Sequence, residues 1–231
     1  MNALVVGDLS FALRPSEKRR TMQITVDRGG ELFLAAPPAA SPNQLRQFVM
    51  EKRLWVYTKL AEKNLLQWPR VQKEYVNGEG FLYLGKSYRL RLVAKQDVPL
   101  LLHQGRFFMH KAAIENGREH FIRWYSAHAQ VWLENKVADY AARMEAKPNS
   151  VHVRELGHRW GSCGRNGRLN FHWLTILLPP HIAEYVVVHE IAHLHEPYHA
   201  PEFWRRVERA MPDYQSRKTW LAENGMTVEG I

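Results

Sequence analysis

The amino-acid sequence predicts an α+β fold, in which a strand-rich N-terminal half packs on a helical half that holds a small antiparallel sheet. Short stretches of alternating apolar and polar residues dominate the chain up to about residue 112. A long helical pattern follows, and further apolar helices are predicted beyond residue 180. The length of 231 residues allows one large domain or two smaller ones. From the change of pattern we expect a strand-rich region over residues 1–112 and a helix-rich region over residues 113–231.

The N-terminal half contains a predicted β-hairpin and one long helix. Residues 21–26 and 31–35 show strand-like alternation and flank a group of turn residues, which indicates a hairpin. Ser41 and Gln44 have the spacing of a capping box, in which each side chain bonds the other residue's backbone N–H. Pro42 stands between them, and proline is favoured at the first position of a helix. The helix should therefore begin at Pro42.

Four shorter apolar stretches complete the N-terminal half. They are residues 81–84, 88–93, 100–103 and 107–110. Gly85 and Gly105 lie at turns between these stretches. We therefore expect neighbouring strands to pair as hairpins in a small antiparallel sheet.

The helical half begins with the most regular pattern in the chain. Apolar residues recur at three- and four-residue steps from Ile122 to Met144, and Pro148 ends the pattern. Two strands are expected next, at residues 151–156 and 168–173. Three helices then follow, over residues 181–195, 201–211 and 213–224.

The cysteine content limits the classes of protein that this chain can belong to. Cys163 is the only cysteine, which excludes an intrachain disulfide framework and a zinc ribbon built from cysteine pairs. We therefore expect a reducing compartment, the cytoplasm. The first residues place their basic side chains after an apolar stretch rather than before it, unlike a secretory signal, and no apolar run reaches membrane-spanning length.

The chain is basic, with 32 Lys and Arg against 23 Asp and Glu, a formal net charge of +9. Such a charge is compatible with attraction to nucleic acid or another acidic partner. The basic residues are scattered rather than gathered into one long run. This distribution favours an ordinary solvated surface over a dedicated nucleic-acid interface.

Residues 189–193 match the HExxH pattern of a metal-dependent hydrolase. Two histidines four residues apart on one helix, His189 and His193, present their imidazoles to a common metal ion. Neutral imidazole suits zinc, and a catalytic zinc site keeps one coordination position for water. Glu190 lies beside the metal in this pattern and serves as the general base. Apolar residues surround the motif, so its ionisable groups need partners, and a metal supplies one.

A third metal ligand is predicted beyond the end of this helix. Pro197 stops the helix, so the chain can turn back and bring His199 to the metal. His195 is the competing candidate, but only two residues from His193 it points to another face of the helix. An amphipathic helix that begins near residue 201 could hold His199 against the core.

Beyond the HExxH motif, the sequence resembles the YgjP-like metallopeptidase family. The resemblance rests on the RWGSC element at residues 159–163, Leu169-Asn170, residues 185–194, His199, Phe203-Trp204 and residues 211–214. It is strong from about residue 120 to 225 and weaker before that. It implies a zincin-type fold and a catalytic region within residues 113–231 that acts on protein or peptide substrates. It also implies a zinc ion held by His189, His193 and His199, with Glu190 catalytic.

Other residues of this region are candidates for supporting roles. Cys163 could act as a thiol nucleophile, but it lies in a Gly/Ser-rich turn without an identifiable histidine partner, which favours a structural role. Trp160 is interpreted as a core residue. The candidates for stabilising an oxyanion are Tyr198, Arg159 and Tyr214, and those for orienting the ligand histidines are Glu196 and Asp213.

The main alternative is a basic protein associated with nucleic acid that keeps zinc for structure. A structural zinc site is usually closed by a fourth protein ligand, commonly cysteine. Coordination of the metal by Cys163 would therefore support this alternative. A protease that acts on DNA-associated proteins is a further alternative, by analogy with SprT-like proteases alone.

Overall fold

The computed structural model describes residues 3–17, 19–27, 30–66, 73–157 and 159–228. Packing divides the chain into two compact units, residues 1–68 and 69–231, and each unit has its own hydrophobic core. The architecture is mixed helix and sheet, so the predicted α+β class is confirmed. The expected start of the catalytic region at residue 113 stays a prediction.

The first unit is a four-stranded sheet followed by a long helix. Its elements are β1 (Ala3–Val6), β2 (Leu9–Pro15), β3 (Gln23–Val26), β4 (Leu32–Ala36) and α1 (Pro42–Leu66). The strands lie in the order β1-β2-β4-β3. The antiparallel pairing of β3 with β4 confirms the predicted hairpin. The hairpin of β1 and β2 was not predicted.

The start of α1 shows the predicted capping box. The Ser41 N–H donates to Gln44 Oε1 at 2.8 Å, and the Gln44 N–H donates to Ser41 Oγ at 3.3 Å. Alternate residues of β4 are buried, so one face of this sheet covers the core of the first unit. Val49 and Val56 of α1 belong to the same core.

The second unit begins with another four-stranded sheet. Its strands are β5 (Gly80–Tyr83), β6 (Lys86–Val93), β7 (Leu100–His103) and β8 (Arg106–His110), in the order β5-β6-β8-β7. The four predicted strands are confirmed, but the sheet is mixed because β6 and β8 run parallel. Tight turns make the β5–β6 and β7–β8 hairpins antiparallel. The longer connection between β6 and β7 lets the second hairpin lie beside the first with β8 against β6.

Both units therefore contain four strands in the same spatial order, followed by a long helix. In the second unit this helix is α2 (Gly117–Arg143), preceded by the 3₁₀ helix Lys111–Asn116. The apolar residues of α2 recur at three- and four-residue steps and form one buried stripe. Phe121 in this stripe stacks on Phe81 of β5, with ring centroids 3.9 Å apart. The long helix predicted here is confirmed.

A third, smaller sheet follows α2. It consists of β9 (Ser150–Arg154), β10 (Gly161–Cys163) and β11 (Arg168–His172), in the order β10-β11-β9. β10 and β11 are antiparallel, whereas β9 and β11 are parallel. β10 is therefore an edge strand, hydrogen-bonded within the sheet along one side. The 3₁₀ helix Trp173–Leu177 leads from β11 into the helices.

Most of the remaining chain is helical. The helices are α3 (Pro180–Ala192), α4 (Pro201–Ala210) and α5 (Tyr214–Asn224), followed by the 3₁₀ helix Gly225–Val228. α3 is buried on nearly all sides. It ends at Ala192, earlier than predicted, where the last turn tightens: the Leu194 and His195 N–H groups donate to the carbonyls three residues back, those of Ile191 and Ala192. None of the described helices combines the length and the apolar character needed to cross a membrane.

The start of α3 is fixed by the turn between β5 and β6. The Leu84 and Gly85 N–H groups donate to the carbonyls of Ile176 and Leu177. Gly85 has a φ of +73°, and a Cβ there would lie 2.8 Å from the Cα of Pro179. Only glycine combines this backbone conformation with so close an approach. The second sheet thereby sets the position of the helix that carries the candidate site.

Candidate metal centre

Three histidines converge at the end of α3. α3 supplies His189, its C-cap is His193, and the following loop supplies His199. One nitrogen of each ring lies within 4.8 Å of the others, and the Nε2 atoms of His189 and His199 are 3.0 Å apart. The structure therefore brings together the three side chains that the sequence predicts as metal ligands.

Aromatic side chains of α4 hold the three imidazoles in place. The Phe203 ring lies 4.6 Å from His193 and 4.9 Å from His189, between ring centroids. Trp204 stacks on His199 at 5.7 Å. Phe203 is fully buried, so this support is anchored in the core of the second unit. The helix after residue 201 packs on the histidines as the sequence predicts.

A backbone contact orients His193. Its Nδ1 lies 3.0 Å from the carbonyl oxygen of Glu196. Because a carbonyl only accepts, Nδ1 carries the proton and Nε2 keeps a lone pair for a metal. The Glu196 carboxylate instead lies 3.8 Å from Arg206. Glu196 thus contacts a candidate ligand through its backbone rather than its side chain.

All three imidazoles are disposed to be neutral, as metal ligands must be. Burial, together with the neighbouring His193, His199 and Lys218, lowers the pKa of His189 to about 3. Burial also lowers the pKa of His193 and of His199. The Nδ1 of His189 is buried and has no hydrogen-bond partner among the described residues. The donor set therefore fits a cation that prefers nitrogen ligands.

Several other predicted candidates lie apart from this cluster. His195 places Nε2 3.2 Å from the carbonyl oxygen of Met144, so its ring is engaged elsewhere. The Asp213 carboxylate pairs with Arg217 at 2.9 Å. Tyr198 is 81% exposed, and Tyr214 stacks on Trp204. Among the described residues, no hydrogen bond joins any of these four side chains to the three histidines.

Cys163 also lies outside the histidine cluster. Its thiol is 3.6 Å from the Gly164 carbonyl, and burial, reinforced by the charge of Glu190, raises the pKa of the thiol. A thiol with a raised pKa is a poor nucleophile at neutral pH. Within the described ranges, the group of side chains able to hold a metal consists of the three histidines without a cysteine.

Glu190 is buried beside the histidines, with 6% of its surface exposed. Burial raises its pKa to about 8, and the Arg159 guanidinium opposes part of this rise. β10 packs directly on the carboxylate: a Cβ at Gly161 would lie 2.7 Å from Glu190 Oε1 and 2.6 Å from Cγ. Any side chain at position 161 would therefore displace the Glu190 carboxylate.

The RWGSC element acquires a structural explanation from these contacts. The Trp160 carbonyl accepts hydrogen bonds from the His172 N–H at 2.8 Å and from Thr175 Oγ1 at 3.3 Å. The Asn170 amide donates to the Ser162 carbonyl at 3.3 Å. These bonds fix β10, so that Gly161 faces Glu190. Trp160 packs against the core, in agreement with its interpretation as a core residue, and it also lines the cleft.

The histidines and Glu190 open onto a cleft of about 910 Å³. One wall is β10 with the turn that follows it, and the other is the second half of α3 with the loop to His199. Of the three predicted oxyanion-stabilising candidates, Arg159 lines this cleft. Sequence reasoning missed Tyr185, although it stands one helical turn before His189 and therefore on the same face of α3. It also missed Lys147 and Arg165.

Comparison with known proteins identifies the family of the chain. Residues 20–224 match the family described as YgjP-like, metallopeptidase domain. One similar solved structure is the metallopeptidase zymogen of Pyrococcus abyssi abylysin, at 22% sequence identity and a TM-score of 0.36, covering 38% of this chain and 89% of that chain. No curated protein matches the chain significantly. Because the family match spans most of the residues, the chain belongs to the YgjP-like metallopeptidase family.

Proposed function

We propose that this metallopeptidase is zinc-dependent, that His189, His193 and His199 hold the zinc, and that Glu190 is the general base. The observation that carries the proposal is the convergence of three neutral imidazoles beside a buried carboxylate, on the wall of an open cleft. The substrate class is peptide bonds of proteins or peptides, in keeping with the family.

The donor set supports zinc in particular. Three imidazole nitrogens are a usual ligand set for catalytic zinc and leave one position free. Tetrahedral ligands at about 2.0–2.1 Å from zinc lie about 3.3 Å from one another, and the Nε2 atoms of His189 and His199 are 3.0 Å apart. When bound, zinc would lower the pKa of water to about 7 and polarise the substrate carbonyl.

Glu190 is suited to move the proton during hydrolysis. Its carboxylate accepts a proton from the attacking water and returns it to the leaving amine. Burial favours the protonated carboxyl, because the charged form loses hydration. The Arg159 guanidinium opposes part of this effect, and a cation bound by the histidines would further favour the ionised carboxylate. Gly161 leaves the space that the carboxylate occupies.

The edge of β10 is the proposed binding site for the substrate backbone. β10 pairs with β11 on one side, and β10 lines the cleft. An extended peptide can add to such an edge through main-chain hydrogen bonds. This would place the scissile bond beside Gly161, and therefore beside Glu190, whatever the side chains of the substrate.

Zinc dependence is tested by removing and restoring the metal. The purified protein is expected to cleave an unfolded protein substrate, to lose this activity after treatment with a chelator, and to regain it with added zinc. Cleavage is measured with an internally quenched peptide library and by mass spectrometry of the products. Full activity after complete metal removal would contradict the proposal.

The contact between β10 and Glu190 gives a second test. Gly161→Ala is expected to lower kcat by about 100-fold, since a displacement of about 1 Å in an active site can cost that much. Zinc content should not change, because position 161 contacts Glu190 rather than the histidines. Gly80→Ala is the matched control: its Cβ would lie equally close, 2.6 Å, to Ser87 Oγ in another sheet. Wild-type kcat in Gly161→Ala would contradict the contact.

A further inference from the structure

We propose that the cleft selects peptide segments with acidic side chains on both sides of the bond that is cut. This inference rests on the proposed peptidase function. The selectivity depends on the side chains of the substrate, whereas binding along the edge of β10 depends only on the substrate backbone.

Basic side chains precede and follow β10 among the residues that line the cleft. Arg159 lies just before β10, and Arg165 lies in the turn just after it. Arg159 and Arg165 therefore lie on opposite sides of Gly161 along the chain, and Gly161 is the residue of β10 that faces Glu190. Lys147, after α2, lines the same cleft as Arg165. Asn149 joins these two segments, because its N–H donates to the Gly167 carbonyl at 2.9 Å.

These cations are available to a ligand. Arg159, Arg165 and Lys147 are exposed, and no carboxylate in the described part of the chain forms an ion pair with any of them. Glu190 is the one acidic residue among those that line the cleft. A peptide bound along β10 would therefore meet three basic side chains and one protein carboxylate, Glu190, which leaves the lining of the cleft with an excess of positive charge.

A fourth cation lies close to the histidines. Lys218 of α5 places Nζ 4.0 Å from the centroid of the Trp204 ring, and Trp204 stacks on His199. Lys218 therefore adds a positive charge near the histidines, beside those that line the cleft.

The shape of the site favours an acidic peptide over nucleic acid as the source of the negative charge. The cations flank an unpaired strand edge, which offers backbone hydrogen bonds that an extended polypeptide can complete. Sequence-tolerant binding of single-stranded nucleic acid uses aromatic side chains on which bases stack. Trp160 and Tyr185 line the cleft, but both are largely packed into the core. The cleft thus combines basic side chains with an unpaired strand edge, a combination that suits an acidic peptide.

The test compares matched peptides. One peptide carries Asp and Glu on both sides of a cleavage site, and its partner carries Asn and Gln at the same positions. With zinc-loaded protein, kcat/KM is expected to be about tenfold higher for the acidic peptide. Each exposed ion pair is expected to raise kcat/KM by about threefold, and two such pairs together give about tenfold. The preference should shrink as salt is raised, since exposed charges are screened.

Arg165→Glu is the diagnostic variant. It should reduce the acidic-to-amide ratio of kcat/KM to about one or below. Arg123→Glu makes the same change of charge on the exposed side of α2, away from the cleft, and should keep the ratio of the wild type. An unchanged ratio in Arg165→Glu would overturn the proposal.

The outcomes separate this proposal from the peptidase function. Equal cleavage of both peptides would overturn the acidic selectivity and leave the peptidase function standing, whereas cleavage of neither would overturn both. Polyglutamate and a single-stranded DNA of equal charge are then compared as inhibitors at about 150 mM salt, near physiological ionic strength. Stronger inhibition by polyglutamate is expected. Stronger inhibition by DNA would overturn the proposal in favour of a nucleic-acid ligand.

Discussion

Glu190→Gln is expected to lower kcat by about 100- to 10,000-fold, the contribution typical of general acid–base catalysis. The amide has the shape of the carboxylate and fits the same space against Gly161, but it cannot accept the proton of the attacking water. Zinc content should stay at the level of the unsubstituted protein, because Glu190 lies outside the histidine cluster. The measurements are kcat on a quenched peptide and zinc content by mass spectrometry.

A control for this substitution is available on the same helix. Glu184 pairs with Lys136 at 2.7 Å and accepts a hydrogen bond from Tyr140 at 3.1 Å, so its carboxylate belongs to a structural network. Glu184→Gln should lower thermal stability and keep kcat. Full activity in Glu190→Gln would remove the general base from the mechanism.

The largest loss of metal is expected when a ligand histidine is removed. His189→Ala, His193→Ala and His199→Ala should each purify with little zinc and with no measurable hydrolysis, because two remaining imidazoles form an incomplete site. His195→Ala should keep about one zinc ion per chain, as expected of a complete site, since its ring bonds the Met144 carbonyl.

The comparison of His199 with His195 is the sharpest part of this prediction. Both lie within a few residues of Pro197, and both are histidines, so the two substitutions differ mainly in the position of the ring. Zinc content and kcat of the two variants are measured side by side. A zinc-free His195→Ala beside a zinc-replete His199→Ala would reverse the assignment.

The parts of the site that follow local rules could be predicted from the sequence. His189 and His193 share a helical face because they are four residues apart. His199 could be placed because Pro197 prevents the helix from continuing. The same local logic gave the capping box at Ser41 and the long helix α2. In each of these cases, interactions between residues close in sequence determine the structure.

The parts that were missed depend on contacts between distant residues. β10 has three residues, too few for a recognisable pattern, and it becomes a strand by pairing with β11. The parallel pairing of β6 with β8 depends on how two hairpins meet in space. Lys147 reaches the cleft because Asn149 bonds across to Gly167. Sequence spacing alone carries no information on such long-range contacts.

The surroundings of His193 show the same limit. Glu196 is a predicted candidate for orienting a ligand histidine, and the atom that contacts His193 is its backbone carbonyl oxygen. Every residue has a carbonyl, so its use depends on the path of the chain rather than on the residue type. The short turn after Ala192 supplies that path.

The location of the metal is the most direct test of this account. Crystals of the zinc-loaded protein, measured at the zinc absorption edge, should show one anomalous peak at about 2.0–2.1 Å from one nitrogen of each of His189, His193 and His199, the distance usual for zinc and imidazole. The fourth position should hold a solvent molecule within hydrogen-bonding reach of Glu190. A zinc ion closed by the Cys163 sulfur, or bound away from the three histidines, would contradict the proposed catalytic site.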